Sequence, residues 1–154
     1  MKNITMRMIA AMMFAGELVS CGVDFERSKN GSLDGYWHLV SIDTLATGTS
    51  GDYSKQRIFW SVEHKLLQVN DIDKGGSFLF RFNQTADSVM LYSPYRTKGH
   101  ENNGGTGGDE LLTDPAPLAH FGINALEESY AKEALDSKKM ILRSKTLRLK
   151  FIKF

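Results

Sequence analysis

Between Ser77 and Asn83 the chain places Phe78, Phe80 and Phe82 on alternate positions, with Leu79 and Arg81 between them. A period of two belongs to a β-strand, whose successive side chains point to opposite faces. A helix would scatter these three rings around its axis, so the segment must be a strand with one apolar face. Runs of similar texture recur at residues 36–43, 55–62, 65–70, 88–93, 138–143 and 146–153. Each is rich in β-branched or aromatic residues and bounded by turn formers. Glu63-His64 reads as a tight hairpin, Gly75-Gly76 as a turn, and Pro94 as the end of the 88–93 strand. Residues 127–135 are ambiguous: Ala131-Lys132-Glu133-Ala134 favours helix by composition, whereas length and position favour a strand. Asp114-Pro115 suits a cap followed by a first helical turn, which predicts a short helix near 116–121.

Counting 127–135 as a strand gives eight. Eight short antiparallel strands joined mostly by short turns predict an all-β, up-and-down barrel with a short helix before the last strands. Closure removes the exposed edges that an open sheet would carry. A sandwich is the alternative, but it calls for Greek-key crossovers rather than successive meanders. At 154 residues the chain has room for one domain. Its net charge of +1 lacks the basic excess of a nucleic-acid-binding domain, so no nucleic-acid partner is expected. A single cysteine excludes a disulfide framework and any CxxC zinc site.

Ahead of the strands the composition changes. Lys2 and Arg7 precede an apolar and small-residue stretch from Ile9 to Gly16, and Leu18-Val19-Ser20-Cys21 follows. This is the layout of a secretory signal, too short to span a bilayer as a mature helix. Leu-Val-Ser-Cys resembles the lipobox of bacterial lipoproteins, and the chain's only cysteine occupies it. Glu17, a charge beside the apolar run, departs from the pattern. The resemblance implies cleavage after Ser20, a diacylglycerol thioether on the Cys21 thiolate and acylation of the new N-terminus, such as by palmitate. A membrane partner then follows from the lipid, since two or more chains give stable anchoring. The signal would be residues 1–20, the tether 21–33 and the barrel domain 34–154. In lipoproteins of diderm bacteria an Asp after the Cys commonly signals inner-membrane retention. Gly22 therefore implies the outer membrane, while Asp24 and Glu26 match an acidic surface-export signal only in part. Without residues 1–20, which hold Lys2, Arg7 and Glu17, acids and bases balance.

Gly35-Tyr36-Trp37 opens the first strand, and Gly-x-Trp at that place resembles the lipocalin signature. In lipocalins this Trp closes the barrel base beneath a basic side chain of the last strand. That strand here offers Arg148, Lys150 and Lys153, and Arg148 is the first choice because guanidinium stacks well on indole. More closely, the chain is similar to lipoproteins with a lipocalin-like domain from gut-type diderm bacteria. The likeness covers residues 33–154. It rests on Leu33-Asp34-Gly35-Tyr36-Trp37, Arg57-Ile58-Phe59-Trp60, the stretch from Ser137 to Ser144 and the ending from Leu147. It implies a fold and a compartment, and no activity.

Phe78, Phe80 and Phe82, with Trp60 and Tyr92 at the rim, are the candidate walls of an apolar site. An eight-stranded barrel is either just filled by its side chains or holds one small ligand, and the sequence leaves both open. The basic groups from Lys138 to Lys153 read as a solvated outer face, with Leu147, Leu149 and Phe151 inward. The glycine-rich loop 96–110 lacks the ending of a phosphate cradle. His100, Glu101, Asp109 and Glu110 lack the order of an EF-hand, and the four histidines lack zinc spacing. No metal or cofactor is expected, and no catalytic constellation is visible. Two functions remain: a membrane-anchored carrier of a small apolar ligand, or an interaction module that uses the barrel as scaffold and the 96–110 loop as contact surface. An open interior favours the first and a packed one the second.

Overall fold

The computed structural model describes residues 27–98 and 108–154. Ten strands form one antiparallel sheet: β1 (Gly35–Thr44), β2 (Thr49–Asp52), β3 (Ile58–Glu63), β4 (Leu66–Asp71), β5 (Ser77–Gln84), β6 (Ser88–Arg96), β7 (Glu110–Leu111), β8 (Glu128–Leu135), β9 (Lys139–Arg143) and β10 (Leu147–Lys153). Eight of them run β1-β3-β4-β5-β6-β8-β9-β10, and β10 pairs back onto β1, so the barrel is closed. The all-β barrel expected from the strand count is therefore the fold. Residues 127–135, the ambiguous segment, form β8.

The two additional strands are accessories that the sequence did not announce. β2 pairs with residues 41–44 of β1, after β3 has paired with residues 35–38 of the same edge. β7 pairs with Tyr95 and Arg96, beyond the point where β8 leaves β6. Pro94 does not end its strand. Ser93 takes a left-handed φ of 49° at a bulge against β5, which turns Pro94 inward. Bulges admit proline because the ladder is already interrupted there. The β3–β4 turn sits at His64-Lys65, one residue later than expected, with His64 at φ 53°.

Alternation sorts the side chains. Ile58, Trp60 and Val62 of β3, the three phenylalanines of β5, and Leu147, Leu149 and Phe151 of β10 all point inward and are buried. Both barrel ends are closed by 3-10 turns. Gly31–Leu33 closes the base, where β1 begins and β10 ends, and Ala116–Phe121 closes the mouth. The expected short helix is thus a 3-10 turn whose N-cap is Pro115, and the Asp114 carboxylate just ahead of it accepts from Ala116 N at 3.0 Å. Residues just ahead of Asp34 pack against the barrel. Leu33 is 1% exposed, and the Asp34 carboxylate accepts hydrogen bonds from Ser28 and Asn30.

Candidate functional site

At the base, Trp37 is fully buried and its indole N–H donates to the Leu33 carbonyl at 2.9 Å. Lys153 lies over the indole with its ammonium 4.7 Å from the ring centroid, and donates to the Asp34 carbonyl at 2.6 Å. Gly35 makes this possible: its φ is +132°, and a Cβ there would run into the Lys153 stem. Arg148 is not the cation over Trp37. Strand alternation puts it outside, where it pairs with Glu133 and approaches Asp43. A hydrogen bond from Ser50, helped by Lys150, holds the Asp43 carboxyl down at about 2. Lys153 reaches the ring because it pairs with Trp37 across the closing seam.

At the mouth the corresponding elements come from distant parts of the chain. Trp60, fully buried, donates its indole N–H to the Phe121 carbonyl at 3.2 Å. Tyr130 donates its hydroxyl to the Gly122 carbonyl at 2.9 Å, and burial pushes that phenol well above its ordinary value. Leu118, Phe121 and Ile123 are fully buried. Phe121 meets Phe78 edge to face with centroids 5.8 Å apart. Gly122 has φ +82° and abuts Leu149, so no side chain fits there.

Trp60, Phe78, Phe80 and Phe82 therefore share the interior, filled together with the mouth turn. Tyr92 does not join them. Leu91 takes the inner position against Phe82, and Tyr92 pairs with Arg81 on the outer face. Cys21, His100 and Glu101 lie outside the described residues, as does most of the 96–110 loop. Among the described residues no three His, Cys, Asp or Glu side chains gather as a metal site.

Two groupings escaped the sequence reading. Asp71 is 4% exposed at the end of β4. One carboxylate oxygen accepts from the backbone of Asp73 and Lys74. Among the described residues the other has no hydrogen-bond partner and sits 3.6 Å from His120 Nε2, itself without one. Burial lowers the His120 pKa below its ordinary value, and the Asp71 charge opposes that shift. On the outer wall, Tyr36 stacks on Phe59 at 4.5 Å, with Phe154 set edge-on to both and His38 beside them. A depression of about 310 Å³ runs along this cluster. Its signal was available: Ile58-Phe59-Trp60 is apolar on both faces, which a strand with one wet face does not tolerate.

The geometry defines a class: an eight-stranded meander barrel whose base is sealed by a first-strand Trp under a last-strand cation. A family model described as a lipocalin-like domain matches residues 12–154, and the chain belongs to that family. Among solved structures it is similar to a lipocalin-like protein from Bacteroides uniformis, with 18% identity and a TM-score of 0.59, covering 80% of this chain and all of that one. It is also similar to an uncharacterized protein from Bacteroides eggerthii, with 17% identity and a TM-score of 0.55, covering 79% of this chain and 99% of that one. At such identities the likeness concerns the fold. No curated protein matches the chain.

Proposed function

We propose that this chain is a lipid-anchored protein of the cell envelope, acting as a non-enzymatic interaction module whose barrel is a filled scaffold. The observation that carries this reading is the interior. Trp60, Phe78, Phe80 and Phe82 are buried among their neighbours, and Leu118, Phe121 and Ile123 complete the mouth. A pocket for a small ligand is a cleft or cavity that buries most of the ligand's surface. Here the chain's own side chains stand where such a ligand would lie. The working surface is then the outside of the barrel and the 96–110 connection. Long irregular segments of that kind are commonly functional or disordered.

Membrane attachment is supported by the Leu18-Val19-Ser20-Cys21 order after a short apolar run, and Gly22 favours the outer membrane. Labelling cells with a radioactive fatty acid tests the anchor. Cys21→Ser should abolish incorporation and release the protein from membranes, and equal labelling of wild type and variant would refute it. The scaffold reading is tested by titrating the folded domain with a fluorescent apolar probe, alongside native mass spectrometry of protein from its own host. The expected result is no stoichiometric uptake and no co-purifying small molecule. Saturable uptake that quenches Trp60 emission would replace the scaffold with a carrier of a small apolar ligand, whose entry would require the mouth turn to swing out.

A further inference from the structure

The base of the barrel carries a groove of about 480 Å³ lined by Arg27, Lys29, Asn30, His64, Lys65 and Leu66. Its two walls come from far apart in sequence and are stitched together. Asn30 Nδ2 donates to the His64 carbonyl at 2.8 Å, and the His64 backbone N–H donates to Ser28 Oγ at 2.9 Å. The segment carrying Arg27 and Lys29 is thereby fixed against the β3–β4 turn carrying His64 and Lys65. The Asp34 carboxylate beside this wall accepts from Ser28 and Asn30, and Glu26 directly precedes Arg27 in sequence. Glu63 stands at the rim, 3.9 Å from His64 Nε2. Leu66, 46% exposed, adds an apolar contact among the cations.

At the mouth the charges are mixed: Asp73, Asp109, Glu110, Asp114 and Glu127 lie in or beside its connections with Lys55, Arg57, Lys74, Lys98 and Lys145, and Arg57 pairs with Asp73 and Lys98 with Glu110. The cations gathered in the base groove are what a negative surface would draw towards it. Chain length points the same way. Five residues separate Cys21 from Arg27, so the two are at most about 22 Å apart when the segment is fully extended. An anchor at Cys21 therefore holds Arg27 within about 22 Å of the membrane surface, close enough for the groove to reach it.

We propose that the groove of Arg27, Lys29, His64 and Lys65 docks on the anionic phospholipid headgroups of the membrane that holds the protein. This deepens the anchoring reading and rests on it for its location. The lipid tethers the chain, while the groove sets which end of the barrel faces the bilayer. Juxtamembrane basic residues act in this way over about one Debye length.

The test uses the chain beginning at Gly22, which retains every strand and the β1–β10 closure. Its folding is checked by circular dichroism. Partitioning is measured on vesicles of phosphatidylcholine, alone or with about a third phosphatidylglycerol. Binding should require phosphatidylglycerol and vanish in half-molar salt. Each of Arg27→Ala and Lys65→Ala should weaken it about fivefold, and the pair about 30-fold, whereas Lys145→Ala at the mouth should leave it unchanged. Equal binding to neutral vesicles, or a double variant that partitions like wild type, would overturn the proposal. Displacement by inorganic phosphate at matched ionic strength would do so as well, because the groove would then be a small-anion site. This chain lacks Cys21, so a failure of acylation would appear in the fatty-acid labelling and leave the vesicle result untouched.

Discussion

The two ends of the barrel are closed by the same device with different parts. At each, a buried indole donates to the carbonyl of a 3-10 turn: Trp37 to Leu33 at the base, Trp60 to Phe121 at the mouth. At each, a glycine with positive φ lets a β10 side chain come close, Lys153 against Gly35 and Leu149 against Gly122. The base assembles this from neighbours in sequence plus one cation, with the polar groups of the Trp37 closure paired. The mouth draws its turn from the long connection between β7 and β8 and leaves a carboxylate oxygen facing a histidine without a hydrogen bond. Local, satisfied closure suits a permanent floor. Closure from a distant loop over an unsatisfied polar pair suits an end that opens at lower cost.

The largest effects should come from the indoles. Trp37→Ala and Trp60→Ala each remove a fully buried ring and should cost about 3–5 kcal/mol in denaturant unfolding. Only Trp60→Ala should also release the mouth turn, seen as lost hydrogen-exchange protection around Gly122 and Ile123. Equal loss in both variants would erase the distinction between the ends. Next come the glycines. Gly35→Ala and Gly122→Ala should each cost at least about 1–3 kcal/mol from backbone strain. Lys153→Ala should recover part of the first loss, since its flexible stem causes the clash. Leu149→Ala should not recover the second, because it empties part of the core.

Smaller again is the cation at the base. Lys153→Met keeps the stem and loses the charge over Trp37, for about 1–2 kcal/mol. Arg148→Met, outside the barrel, should cost below about 1 kcal/mol. The reverse order would restore Arg148 as the base cation. The smallest effect concerns pH. Because burial lowers the His120 pKa, the folded protein favours neutral imidazole. The associated stability is complete above the ordinary histidine pKa and is lost as pH falls through it towards the folded value. Melting temperature should therefore drop from pH 7 to pH 5 more in wild type than in His120→Gln. Equal slopes would show that the Asp71 charge compensates fully for burial.

The base was largely legible from sequence and the mouth largely was not, for one physical reason. Gly35, Trp37 and Leu33 act within a few residues of one another, and alternation placed Phe78, Phe80 and Phe82 inside. Trp60 was visible as an inward ring, but its partner carbonyl lies 61 residues on. Nothing local connects Asp71 to His120 either. Tyr92 was misplaced because Leu91 holds the inner position of its strand. Arg148 was preferred to Lys153 on chemistry, when register across the seam decides the matter. The polar segment before Asp34 reads as tether in sequence, and nothing local shows that Ser28 and Asn30 bind the Asp34 carboxylate.

The seam itself bears on how the protein is made. Trp37 pairs with Lys153 and Thr44 with Leu147, so the first long strand waits for the last one. Pairings this remote in sequence are slow to form, and until they do both strands present bare edges. A chain that emerges from its N-terminus can build the meander from β1 to β6 as it appears, but it cannot become a barrel until Leu147–Lys153 is free to pair. During that interval β1 is an open template, and whatever guards it against unwanted pairing must act until the last strand arrives.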